Sequence, residues 1–263
     1  MAADASEHDV TVREQLRQGT IGELRYMHVP FSYFNDDPAN IRNMADIGGG
    51  DGNDWLAGSS GDDVLTGGAG DDFYHVDART DAVTEAAGEG ADTVRSSVSW
   101  LLGDNLEHLT LTGTRGTFGD GNALDNVLTG NNAANVLSGK DGDDTLDGRM
   151  GADALWGGAG NDVFAFGTTL NGGNVDRIGD FGNGDDTIQL GSNVFTTLGV
   201  GTLAASAFQS GDGIATTADA RALYTSATGA LAYDADGSGS GAVVQFALLK
   251  PNLTLTADDF VVV

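Results

Sequence analysis

The sequence predicts an all-β fold built as a stack of coils. Three observations carry that reading: a nine-residue beat, an apolar residue at a fixed place in each beat, and a glycine–aspartate turn before it. The beat is clearest from Gly139 to Ala165, where three blocks follow without a spacer. They read Gly-Lys-Asp-Gly-Asp-Asp-Thr-Leu-Asp, Gly-Arg-Met-Gly-Ala-Asp-Ala-Leu-Trp and Gly-Gly-Ala-Gly-Asn-Asp-Val-Phe-Ala. Each opens on Gly (Gly139, Gly148, Gly157), has Gly at its fourth place, Asp at its sixth (Asp144, Asp153, Asp162) and a large apolar residue at its eighth (Leu146, Leu155, Phe164).

The spacing dictates local structure. Two glycines within four residues permit a tight turn with exposed carbonyl oxygens. Three extended residues follow, and the middle one points to one side because strand side chains alternate. Turn, strand, turn, strand closes a coil, and stacked coils bury the eighth-place residues in one core. Stacking also brings Asp and carbonyl oxygens of turns two blocks apart around a common point. Several carboxylates among about six or more oxygens suit Ca²⁺ better than Mg²⁺ or a transition metal.

On these residues the chain strongly resembles the haemolysin-type calcium-binding family of RTX (repeats-in-toxin) proteins, whose repeat is G-G-x-G-x-D-x-U-x. The resemblance implies a parallel β-roll with Ca²⁺ between successive turns on each side. A Gly/Asp-rich disordered linker is the alternative, but a linker has no reason to keep an apolar residue every ninth place.

Composition agrees. The 263 residues include 41 glycines and no cysteine, and 39 acidic against 12 basic residues give a formal net charge of −27. So acidic a chain argues against nucleic acid or anionic lipid as a partner and repels itself unless cations neutralise it. Apolar residues make up 40%, too many for a wholly disordered acidic chain. No disulfide framework is available, and no run is long and apolar enough to span a membrane. Met1 to Val10 lacks the apolar core of an ordinary secretory signal.

The expected organisation has three parts: residues 1–47, a roll over 48–168, and a β cap over 169–263. In the first part, His8 to Gln18 predicts a short helix stopped by Gly19, and Glu23 to Phe34 a strand. Residues from about Val12 to Gly50 resemble a piece of glucose–fructose oxidoreductase-like NAD(P)-dependent dehydrogenases, through Gly22-Glu23-Leu24-Arg25-Tyr26, the run Phe31 to Asn43 and Gly48-Gly49-Gly50. In that family the stretch joins the nucleotide domain to the second domain. Here the chain turns into repeats where the dehydrogenase would continue to its catalytic Asp and His, and no G-x-G-x-x-G precedes it. A fusion remnant and an N-terminal cap strand are both open readings, and dehydrogenase activity is not expected.

The roll begins with a first array, Gly49 to His75. Its blocks open on Gly49, Gly58 and Gly67, with Asp54, Asp63 and Asp72 at the sixth place and Leu56, Leu65 and Tyr74 at the eighth; Asp51 adds a third-place acid. Asp54 and Asp72 share a side. Residues 76 to 120 lose the beat but keep glycine turns, with Val83, Val94, Val98, Leu106, Leu109 and Leu111 as core positions and few metal sites expected. A helix over Ser99 to Leu106 is the alternative. The second array opens weakly: Asn126 and Asn135 stand where Asp is expected, before Leu128 and Leu137. Their neutral oxygens should hold Ca²⁺ less tightly. The best predicted site pairs Asp144 with Asp162; Asp153 faces Asn135; Asp141 is the third-place acid beside Asp144.

Past Phe166 the segments Asp176 to Phe181 and Gly184 to Ile188 resemble the part that closes the rolls of serralysin-like secreted proteins. Ala222-Leu223-Tyr224, Leu231-Ala232-Tyr233 and Val243 to Phe246 predict a β meander. Asp234-Ala235-Asp236-Gly237-Ser238-Gly239 reads first as a hairpin turn and second as half a Ca²⁺ loop, with Asp234 and Asp236 as ligands. The terminal Asp258-Asp259-Phe260-Val261-Val262-Val263 resembles the C-terminal signal of serralysin-like proteins, which implies a type I exporter as partner; a last strand of the meander is the structural reading.

No catalytic set emerges. H-E-x-x-H and G-x-S-x-G are absent, so the protease and lipase motifs of related secreted proteins are missing. His8, His28, His75 and His108 are scattered, and the adjacent acids Asp62-Asp63 and Asp71-Asp72 fall on repeat positions. The expectation is a secreted, non-enzymatic, calcium-binding module that folds on Ca²⁺ after export. The alternatives are a detached C-terminal module of a secreted protease, lipase or alginate epimerase, and a calcium-stiffened adhesin; the sequence names no biological target.

Overall fold

The computed structural model describes residues 46–263 apart from 59, 60 and 183. The helix and strand expected between His8 and Phe34 lie outside the described residues. Within them the fold is the expected parallel β-roll. Successive short strands alternate between two faces, so that residues 55–166 wind as a flattened coil. One face is a ten-stranded sheet; the other is a three-stranded sheet followed by a nine-stranded one.

The nine-residue beat sets the register. Val127, Thr145 and Val163 stand in line on one face, and Val136 and Ala154 on the other, each step being two blocks. Every eighth-place residue then points inward. Leu56, Leu65, Tyr74, Leu128, Leu137, Leu146, Leu155 and Phe164 are all buried, and they form one continuous core. Their strand neighbours point out: Trp55, Val127 and Val136 are exposed. That alternation is what a two-faced coil of three-residue strands requires.

Between the arrays the roll continues without the beat. Phe73 pairs with Thr93, Thr93 with His108, and His108 with Val127. Val94, Leu106, Leu109 and Leu111 are buried, and Val83 and Val98 pack against the core. The stretch weighed as a helix, Ser99 to Leu106, holds the short strand Trp100–Leu101. Leu102 and Leu106 are buried while Leu101 is exposed, which one strand and a bend achieve.

The coils also continue past residue 168, the expected end of the roll. Strand Asp176–Ile178 pairs with Ala154–Ala159, and Thr187–Leu190 with Val163–Phe166, all parallel. The cap follows. Strands Ala222–Thr225, Ala230–Tyr233 and Val244–Leu248 form the expected antiparallel meander. The meander joins the roll where Val244–Leu248 pairs with Asp176–Ile178.

Aromatic rings close the end of the core. Phe246 meets Phe166 at 5.0 Å and Phe195 at 5.1 Å, both edge-on, and Phe195 meets Tyr233 at 5.1 Å. The last strand, Phe260–Val262, does not complete the meander. It pairs parallel with Thr187–Leu190 in the ten-stranded sheet, because Phe260 and Val262 alternate inward and cover the last apolar layer of the roll.

Neighbouring positions of one strand should therefore respond differently. Leu137→Ala should cost about 2–5 kcal/mol in urea unfolding, and Val136→Ala, on the outer face, well under ~1 kcal/mol.

Candidate metal centre

The turns of the roll stack as the strands do. Where a block has a fourth-place glycine it takes a left-handed conformation, as at Gly142 with φ +117°, which allows the reversal into the sixth-place residue; Leu124 and Ala133 stand at that place in the two asparagine blocks. The first-place glycine answers a different demand. A Cβ on Gly139 would strike both Asp144 Oδ2 and the Gly157 carbonyl oxygen, which belongs to the coil two blocks on. The turn is thus a cradle in which oxygens of two coils crowd a point left free by the missing side chain.

The sixth-place side chains form a ladder along the edge of the ten-stranded sheet. Asp54 N–H donates to Asp72 Oδ1 (2.7 Å), and Asp72 N–H to Asp92 Oδ1 (2.8 Å). Asp92 N–H donates to Glu107 Oε2 (2.9 Å). After Glu107 the series resumes: Asn126 to Asp144 (2.7 Å), Asp144 to Asp162 (3.0 Å) and Asp162 to Asp186 (3.0 Å). On the opposite edge Asp63 N–H donates to Asp81, Asn135 N–H to Asp153 (2.6 Å) and Asp153 N–H to Asp176 (3.0 Å). Each carboxylate reaches back one coil on its own side. Fifth-place side chains look the other way: Asp143 N–H donates to Asp125, and Asn161 N–H to Asp143.

One oxygen of Asp72, Asp92, Asp144, Asp153 and Asp162 is therefore held. The other is often left over. Oδ2 of Asp54, Asp72, Asp92, Asp144 and Asp153 is buried and accepts no hydrogen bond. Such oxygens are costly to bury. Burial, more than the neighbouring charges, pushes Asp144 and Asp153 up to about 7 and Asp162, Asp176 and Asp92 up to about 6. Next in weight among the raising effects are like charges of stacked partners, Asp162 beside Asp144 and Asp186 beside Asp162. The donor set is all oxygen, partly anionic and set in a cradle closed to a Cβ, and it fits a hard cation such as Ca²⁺. Asp144, Asp162 and the Gly157 carbonyl would hold one such ion; Asp54, Asp72 and the Gly67 carbonyl, which crowds Gly49 in the same way, would hold another. The ion would neutralise carboxylates that no protein donor reaches.

The asparagine turns solve the same problem internally. Asn126 Oδ1 accepts from Asn122 N–H (2.8 Å) and its amide donates to the Leu106 and Glu107 carbonyls. Asn135 does likewise with Asn131 N–H and the Thr117 carbonyl. Asn135 does lie next to Asp153, but its side-chain oxygen is engaged in its own turn. Asp51 and Asp141 are exposed, so their side chains stand outside the stack. Asp234 and Asp236 lie in the hairpin turn: Asp234 Oδ1 accepts from Asp236 N–H (3.2 Å) and Asp236 Oδ2 from Gly241 N–H (2.8 Å). Asp81 and Asp186 also have both oxygens bonded to backbone N–H groups.

Sequence reading missed the rungs at Asp81, Asp92, Glu107, Asp176 and Asp186. For Asp92, Glu107, Asp176 and Asp186 the separations along the ladder are 20, 15, 23 and 24 residues instead of 18, while Asp81 keeps the 18 but stands past the end of the first array. The usable signal was an acid directly before a short β-prone run, as in Asp92-Thr93-Val94 and Asp186-Thr187-Ile188.

Comparison with known proteins agrees with this geometry. Residues 48–78 and 129–164 match the RTX calcium-binding nonapeptide repeat (4 copies). The chain thus carries RTX calcium-binding repeats. Over 57 residues, 22% of its length, it is 42% identical to the endo-1,3-1,4-beta-glycanase ExsH of Rhizobium meliloti (strain 1021). It is 37% identical over the same length to the endo-1,3-1,4-beta-glycanase EglC of that organism. Each match spans 12% of the relative.

The raised carboxylates set a pH dependence. In chelator, their contribution to stability is fully present below about pH 4, the ordinary carboxylate range, and is lost as pH rises through the folded values of about 6 to 7. Acid should therefore favour the metal-free roll. Ca²⁺ binding near pH 6.5 should expel protons, and the release should vanish near pH 8; calorimetry in buffers of different ionisation enthalpy reads both.

Proposed function

We propose that this chain is a secreted calcium-binding module whose roll condenses when Ca²⁺ enters the stacked turns, after export through a type I exporter. The observation that carries the reading is the column of buried carboxylate oxygens that accept no hydrogen bond. In the Ca²⁺-poor cytosol those carboxylates oppose compaction, as does the net charge of −27. Outside the cell, Ca²⁺ near 10⁻³ M matches the affinity of extracellular-type sites, roughly 10⁻⁴ to 10⁻³ M. Each site held at ten times its Kd adds about 1.4 kcal/mol to the folded state, and several coupled sites outweigh a marginal deficit. Binding would thereby make export directional. Among the described residues no helix is long and apolar enough to cross a membrane.

A second reading, a non-catalytic module of a longer secreted enzyme, is favoured by one observation: the matched relatives bear glycanase names, yet share only 57 residues with this chain. On either reading the chain by itself releases no sugar from a 1,3-1,4-β-glycan, and turnover there would displace both.

A Ca²⁺ titration followed by far-UV circular dichroism tests the coupling. The β signal should rise cooperatively with Ca²⁺, and a full signal in excess chelator would refute folding on binding. Asp144→Ala with Asp162→Ala should shift the midpoint to higher Ca²⁺ more than Asn126→Ala with Asn135→Ala, because the asparagine turns already satisfy their own oxygens.

A further inference from the structure

We propose an additional cation site that reaches beyond the nonapeptide pattern, formed by the repeat residue Asp72 with Glu85 and Asp92 where the first array gives way to the wider coils. It rests on the calcium reading above and adds to it a site whose third carboxylate comes from a non-repeat residue. Glu85 and Asp92 lie beyond residues 48–78, the first stretch that matches the repeat.

Glu85 stands eighteen residues after Gly67, where a regular stack would place the opening glycine of another block. A glycine there could offer only a carbonyl. The glutamate instead turns its carboxylate back over the preceding turn, and Glu85 Oε1 accepts from Gly67 N–H at 3.0 Å. Asp72 Oδ1 and Asp92 Oδ1 are held in the same manner by Asp54 and Asp72 N–H. That leaves Asp72 Oδ2, Glu85 Oε2 and Asp92 Oδ2 buried and without a hydrogen-bond partner.

The three side chains are 2%, 6% and 1% exposed, and one carboxylate oxygen from each lies within 4.8 Å of the others. Among the described residues no Lys, Arg or His forms an ion pair with them. A Cβ on Gly67 would strike both Asp72 Oδ2 and the Tyr74 hydroxyl, so a neutral oxygen borders the same space.

Three converging anionic oxygens and a hydroxyl, with no nitrogen or sulfur, select a hard cation. Burial of all three excludes bulk water as the source of compensation. Three carboxylates exceed the charge of one divalent ion, so this site should fill before the turns that offer fewer. A trivalent lanthanide should bind it more tightly still. An ion here would pin the first wide coil to the array beneath it.

The test uses the full chain and counts bound ions. Glu85→Gln and Asp92→Asn keep an oxygen for the backbone N–H but remove the charge. Each should lower the Ca²⁺ stoichiometry in calorimetry by one per chain and abolish the tightest binding step. Asp144→Asn, in the second array, should leave that step in place. Wild-type chain that binds no Ca²⁺ would overturn the calcium reading as a whole. Wild-type binding with both variants unchanged in number and affinity would overturn this site alone. Crystals of the wild-type chain grown with Ca²⁺ and soaked in Tb³⁺ give a check that needs no variant. An anomalous peak between Asp72, Glu85 and Asp92 supports the site, and peaks only in the nonapeptide turns refute it.

Discussion

The stacking of like side chains at a fixed register is the constraint on which the molecule depends. A parallel roll with a repeat of two blocks puts each residue over its own equivalent, about 4.8 Å away. At the eighth place that law is favourable, since leucine over leucine builds a core. At the sixth place it sets carboxylate over carboxylate. Two such charges at that spacing oppose each other by about 3 kcal/mol at an effective dielectric near 20. A backbone N–H bonded to a carboxylate returns about 1.5–3 kcal/mol, which at best balances one contact and leaves the second oxygen bare. Protonation of the carboxylates, or charge brought from outside, would relieve the arrangement.

The same chain shows what happens where that demand is removed. Asn126 and Asn135 place an amide nitrogen against the carbonyls of the coil below, doing internally what a cation would do at the aspartate turns. Asp81 and Asp186 close both oxygens on backbone N–H groups. The roll thus mixes turns with a bare buried carboxylate oxygen and turns without one. The aromatic plug of Phe166, Phe195, Tyr233 and Phe246 at its end depends on no ion at all. The packed cap and the ion-free turns frame the turns that carry the burden.

What the sequence makes legible follows from periodicity. Leu146 and Asp144 announce themselves because their equivalents return at fixed distances, so the core and the main ladder could be read directly. Asp92 and Glu107 could not, since one coil is lengthened and the next shortened while the three-dimensional register survives. Glu85 was invisible for a further reason: it stands in a glycine's place, and its value lies only in which turn it folds back upon. The last strand misled differently. Its apolar alternation was clear, but its partner, Thr187–Leu190, is fixed by the uncovered end of the core and not by the neighbouring meander.

The one-way direction of the sixth-place hydrogen bonds has a consequence for how the roll tolerates damage. A backbone donor in each coil is met by the coil that follows it in the chain, as Asp144 N–H is met by Asp162. Loss of a coil from the leading end strips away donors and leaves acidic oxygens that water readily solvates. Loss from the trailing end bares amide hydrogens in the layer beneath, which water meets in turn. At the sixth place the roll thus has a head and a tail in the polymer chemist's sense, one end presenting acceptors and the other donors.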